Sequence, residues 1–234
     1  MSKGLRIAGA IGVALAALIF AFAVGRPIKV LPRMAPAPPF ELLDPWGKPV
    51  SAPREDAKIT LYTFGALRDD EGMARIRAFY DKAHRALSDA GFADAVEFVF
   101  ITVDPDHDDP EALRRAIASP PTVRSLPPQM MPLTGSWIAI RMVVGTGFGV
   151  YFQPPAVEAH QGAGQLAAAL PPPKYDPTVI VVDRDHVIRA RYALNQFDTG
   201  TLVRDVNLLV KEANAQGATR WIYEGAHLFL CYPR

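Results

Sequence analysis

The side chains able to do chemistry gather in a few short stretches of this 234-residue chain. Asp69, Asp70 and Glu71 form a run of acids, and the thioether of Met73 follows two residues later. Three neighbouring carboxylates can hold a cation. At a helix start they more often accept from free amides and complement the helix dipole, so capping is expected of them. Met130 and Met131, taken with His160, offer thioether and imidazole donors that suit copper. Methionines beside prolines more often pack loops. His84, His107, His160, His186 and His227 are scattered without metal-ligand spacing and read as surface histidines. Cys231 is the single cysteine, so an intrachain disulfide and a multi-cysteine metal centre are both excluded; it reads as a half-buried thiol. Gly145-x-Gly147-x-Gly149 lacks the preceding strand and following helix that phosphate binding requires. No nucleophile–base–orienter set stands out.

These residues must be positioned by elements, and the periodicity outlines them. Phe40 to Val50 reads as a short hairpin turned by Asp44-Pro45-Trp46-Gly47. Lys58–Phe64 and Val96–Val103 read as strands buried on both faces. Between them Met73, Ile76, Tyr80, Ala83 and Leu87 recur at helical spacing. Pro110 opens a second helix. Residues 118–135 are irregular and proline-rich, Trp137–Val144 reads as helix, and a second loop covers 153–175. Thr178–Tyr192 is a hairpin around Asp183-Arg184-Asp185-His186, and Thr201–Ala215 is a helix. The predicted fold is α/β, a thioredoxin-like central sheet with helices on both faces, preceded by one N-terminal transmembrane helix.

That helix is read from Ile7–Val24, a charge-free run flanked by Lys3 and Arg6 and by Arg26, Lys29 and Arg33. Eighteen residues of helix span ~27 Å, close to a bilayer core. A cleaved leader ending near Ala21-Phe22-Ala23 is the alternative. Half of the residues are hydrophobic and the formal net charge is +1, which argues against nucleic acid as a partner. The predicted division is 1–25 cytoplasmic tail and anchor, 26–39 proline-rich linker, 40–216 globular domain and 217–234 apolar C-terminal tail.

A strand ending in Phe64-Gly65, a helix, and a second strand running into Asp104-Pro105 and Pro110-Glu111 resemble the Sco/SenC family of thioredoxin-like copper chaperones of cytochrome c oxidase. Gly149-Val150-Tyr151-Phe152 and Asp176-Pro177-Thr178 carry the resemblance further, over roughly residues 36–214. The family binds copper through a C-x-x-x-C pair and a histidine. The resemblance places Asp69, Met73 and Pro177 at those three positions, so neither copper binding nor disulfide exchange is expected here. No cofactor, metal or catalytic residue is expected.

Function is then expected from surfaces. The loops 118–135 and 153–175 are long. The tail offers Trp221, Tyr223, Phe229 and Tyr232 as candidate partner anchors, unless it folds back as an extra strand. The expected role is a membrane-anchored, non-catalytic accessory subunit on the periplasmic side of a respiratory or photosynthetic electron-transfer complex, possibly against a cytochrome. The alternative is an assembly factor or copper chaperone for cytochrome c oxidase. The resemblance and the short N-terminal tail put the domain outside the cytoplasm, on a single-pass anchor in the inner membrane.

Overall fold

The computed structural model describes residues 4, 9, 11–13, 29–56, 58–120, 122, 124–153 and 171–229. It divides into two compact units, Arg33–Asn207 and a smaller one formed by Met1–Pro32 with Leu208–Arg234.

The larger unit is built on a six-stranded sheet. Its strands are β1 (Ala35–Pro36), β4 (Ile59–Gly65), β5 (Val96–Thr102), β6 (Met130–Leu133), β9 (Thr178–Val182) and β10 (Val187–Ala193), ordered β1-β10-β9-β4-β5-β6. β4, β5 and β6 run parallel; β9 is antiparallel to β4, and β10 is antiparallel to β9. Two-stranded ribbons flank it: β2 (Phe40–Leu43) with β3 (Pro49–Ala52), and β7 (Phe152–Gln153) with β8 (Lys174–Tyr175). The first ribbon turns through Asp44, whose carboxylate accepts from the amides of Trp46 and Lys48, and Gly47 takes the positive φ of +74°.

All seven residues of β4 are buried, because the sheet is covered on both sides. On one face Tyr62, Phe64, Val99, Ile101 and Ile180 pack against Ile140, Val143, Val144 and Phe148. Those come from α3 (Trp137–Ile140), from the π-helix that continues it over Arg141–Gly147, and from Phe148, which caps that helix. On the other face Phe98 meets Phe79 and Tyr80 of α1 (Asp70–Asp89). The predicted stripe of α1 is buried in full, with Phe79 added to it. α2 (Pro110–Ala118) starts at Pro110 behind an Asp109 cap, and α4 (Thr199–Ala213) closes the succession as read from the sequence.

Three expectations need correction. The linker predicted for 26–39 is in part sheet: Ala35 and Pro36 pair with Ile188 and Val187, and Ala37 is in the core. The irregular stretch 118–135 contains β6, the edge strand beside β5, where Pro132 is tolerated because no further strand of the sheet lies beyond it among the described residues. Its approach is fastened to α1 by Arg77, which donates to Ser125 and the Thr122 carbonyl, and by Tyr80 on Gln129. In the C-terminal segment Ala218–Phe229 form a helix, α5, where a tail or an extra strand was expected.

In the smaller unit, Tyr223 and Ala226 of α5 pack on Val30, and His227 meets Glu212 at 2.7 Å. Among the described residues no helix is long and apolar enough to cross a membrane. Most of Ile7–Val24 lies outside them, as do 154–170, Cys231 and Tyr232.

Candidate functional site

β4 and β5 end side by side, Gly65 opposite Thr102, and Val103 donates to the Gly65 carbonyl at 2.8 Å. The two chains leaving these strands, 66–69 and 103–109, form the site. Asp69 is the N-cap of α1: its Oδ1 accepts from the Gly72 amide at 3.1 Å. Its Oδ2 accepts from the Tyr175 hydroxyl at 2.7 Å, across 106 residues of chain. Burial, and then the Asp69 carboxylate it serves, push the Tyr175 phenol well above its usual range. Gly72 makes room for this pair. A Cβ there would stand 1.9 Å from the Tyr175 hydroxyl oxygen and 2.2 Å from Asp69 Oδ2.

Behind this cap lies a network of buried carboxylates. Asp104 is paired with Arg68 and meets His107 Nδ1 at 3.0 Å through its other oxygen. Asp108 Oδ2 accepts from Thr102 Oγ1 at 2.6 Å and from the Leu67 amide at 3.0 Å. Burial pushes Asp108 up to about 6, reinforced by nearby Asp104 and opposed by those two hydrogen bonds and by His107. The network fixes the two loops to one another. Trp137 adds a third element by donating to Asp106 at 2.6 Å while stacking on Phe152.

Each acid of the 69–71 run thus has a structural partner. Asp70 takes Arg124 through two bonds, 2.6 and 3.2 Å, which hold its carboxyl below the usual carboxylate range. Glu71 pairs with Arg75 one turn on. Met73, 1% exposed, is in the core. The Pro177 side chain has no donor atom, and its carbonyl accepts from Leu194 at 2.9 Å. Copper(I) favours thiolate, thioether or imidazole. With Asp69 doubly engaged, Met73 buried and Pro177 donorless, these three residues do not fit that ion.

A family model described as SCO1/SenC matches residues 31–169. The chain belongs to the SCO1/SenC family. Solved Sco structures agree in fold. Copper-bound ScoI of Bradyrhizobium japonicum is 23% identical, with 75% of this chain and 99% of that one covered and a TM-score of 0.55. Apo Sco1 of Thermus thermophilus is 25% identical, with 75% and 91% covered and a TM-score of 0.52. BsSco, described as a member of the Sco family of cytochrome c oxidase assembly proteins, is 19% identical, with 76% and 95% covered and a TM-score of 0.56. No curated protein matches the sequence significantly.

The structure places the other candidates as follows. Met130 and Met131 are consecutive residues of β6 and point to opposite faces; Met130 is buried, and Met131 lies 3.9 Å from Arg54 Nη1. His160 lies outside the described residues. The surface reading of the histidines fails for His227, which is buried against Glu212, and His107 faces Asp104. Among the described residues no group of three or more His, Cys, Asp or Glu is arranged to hold a metal. Trp221 is 80% exposed and Tyr223 is half-buried. The Phe229 side chain and Tyr232 lie outside the described residues.

Sequence reasoning missed Tyr175, the Arg68–Asp104–His107 cluster and Asp108. The one signal for Tyr175 was Gly72, a glycine in a helical first turn where alanine is the better helix former.

Proposed function

We propose that this SCO1/SenC protein is a non-catalytic accessory subunit, membrane-anchored with its domain on the periplasmic side, that braces a respiratory or photosynthetic electron-transfer complex. The observation that carries the reading is the Tyr175–Asp69–Gly72 closure, where a phenol and a helix cap take up the position that the resemblance assigns to a ligand. Among the described residues no soft donor stands free at these three positions, and the domain acts as a shape.

Exposed apolar side chains support a docking role. Ile138 is 77% exposed and Met142 59%, four residues apart on the helix that Trp137 ties to the loop after β5, with exposed Tyr151 following in the chain. Large apolar groups standing out together commonly mark contact surfaces. The basic flanks of Ile7–Val24 support the anchor.

The test is mild-detergent solubilisation of native membranes followed by capture on a tag. Electron-transfer subunits recovered in fixed ratio support the proposal, and recovery as a free monomer overturns it. A second reading, an assembly factor for cytochrome c oxidase, is favoured by what BsSco is described as. It calls for a substoichiometric catch containing oxidase subunits and for an oxidase defect on deletion.

A further inference from the structure

Helix α5 has two apolar sides, and its own unit covers one of them. Tyr223 and Ala226, three residues apart, pack on Val30, and His227 beside them is buried against Glu212. Arg220 and Glu224 form a narrow polar side. Around the rest of the helix, Ala218, Trp221, Ile222 and Gly225 recur at the spacing of one stripe. Trp221 is 80% exposed and Ile222 41%.

Chain length places this free side. Val30, on which α5 rests, follows the last residue of the Ile7–Val24 run by six positions. Even fully extended, that stretch covers only about 20 Å. A helix diameter is about 10 Å, so α5 is held within roughly one helix-width and a short tether of the place where the apolar run ends. The tether is basic, with Arg26 and Lys29, and Arg220 lies on α5 next to Trp221. Cations suit anionic headgroups, and tryptophan is the residue that settles at the boundary between headgroups and acyl chains.

From this we infer that α5 lies on the membrane surface, its Trp221–Ile222 side seated in the headgroup region of anionic phospholipid, so that the chain touches the bilayer twice. A helix with one exposed apolar stripe and basic neighbours is the ordinary form of an interfacial anchor. The inference rests on the reading of Ile7–Val24 as a membrane span, and it departs from the reading of Trp221 as an anchor for a protein partner.

The experiment reconstitutes the full chain into phosphatidylcholine vesicles, with and without phosphatidylglycerol. Tryptophan quenching by lipids brominated near the top of the acyl chain is then compared between the wild type and Trp221→Phe. Trp46 and Trp137 are present in both proteins, so the difference reports on Trp221. An alkaline wash of the same vesicles reports on the span separately. The expected result is a quenched, blue-shifted component that Trp221→Phe loses and that grows with anionic lipid. A chain that survives the wash while Trp221 stays unquenched overturns the inference and leaves the span standing. Quenching in a chain that the wash removes leaves a single surface contact, and overturns both the span and the double contact inferred from it. Trp221 unquenched in vesicles but shielded in the native complex assigns the face to a protein and overturns the inference.

Discussion

The Tyr175 hydroxyl donates to Asp69 Oδ2 at 2.7 Å, joining the strand before Pro177 to the first residue of α1's cap. The resemblance assigns a copper ligand to Asp69 and another to Pro177, two positions beyond Tyr175. A hydrogen bond therefore ties together two segments that a shared ion would join. Protein atoms hold these two segments together at this end of the domain.

Tyr175→Phe removes that donor while leaving the ring packed. A hydrogen bond to a charged acceptor contributes about 1.5–3 kcal/mol, and Asp69 keeps its Gly72 amide. The expected loss of stability is about 1–2 kcal/mol by urea denaturation, with faster amide exchange in 171–177.

Gly72→Ala adds a Cβ where the Tyr175 oxygen and Asp69 Oδ2 stand. Both obstructing atoms are side-chain ends, so the tyrosine is displaced and the pair is lost. Alanine returns about 1 kcal/mol of helix propensity. The two substitutions therefore act on one interaction, and their combination is expected to cost clearly less than the sum of the singles. A double-mutant cycle measures this directly.

Met73→Ala is expected to behave as a core truncation, losing about 2–4 kcal/mol, because the thioether is buried. Thermal unfolding with and without a copper(I) chelator checks it. The chelator is expected to leave both proteins unchanged.

Asp108 sets a pH dependence whose sign runs against the usual carboxylate. Its folded value, about 6, lies above the unfolded one near 3.8, so between those values the folded state holds more protons. Stability from this group is full below about pH 4 and falls as pH rises through 6, by up to roughly 2–3 kcal/mol. Asp108→Asn retains an oxygen able to accept from Thr102 and Leu67. It is expected to flatten the pH 4–6 part of the stability profile relative to wild type.

Arg68→Met leaves the buried Asp104 carboxylate with His107 and without its guanidinium. Breaking a buried pair from one side costs about 3–5 kcal/mol. Guanidinium denaturation should show a loss at or near that size, larger than for Arg115→Met on the exposed pair with Glu111.

The periodic elements were legible in the sequence. The Met73–Leu87 stripe and the hairpin around Asp183 repeat a pattern over a full element, and the two buried strands stand out as β-rich apolar runs. β6 was not legible. It is four residues long, contains Pro132, and becomes a strand only through its pairing with β5. Helix α5 was obscured by its own composition, since Trp221, Ile222, Tyr223 and Phe229 are residues that favour strands. Packing of Tyr223 and Ala226 against Val30 decides it instead. The closure at Asp69 depends on a partner 106 residues away, which no local pattern encodes.

The central claim, that this end of the domain is closed by its own side chains and carries no copper(I), is tested most directly by titration. The purified full-length protein is set to compete for copper(I) against a chromogenic chelator, with Asp69→Ala, Met73→Ala and Tyr175→Phe alongside. Wild type is expected to withdraw no stoichiometric copper from the chelator, and none of the three substitutions is expected to change the curve. One equivalent bound by wild type and lost in any of the three would contradict it.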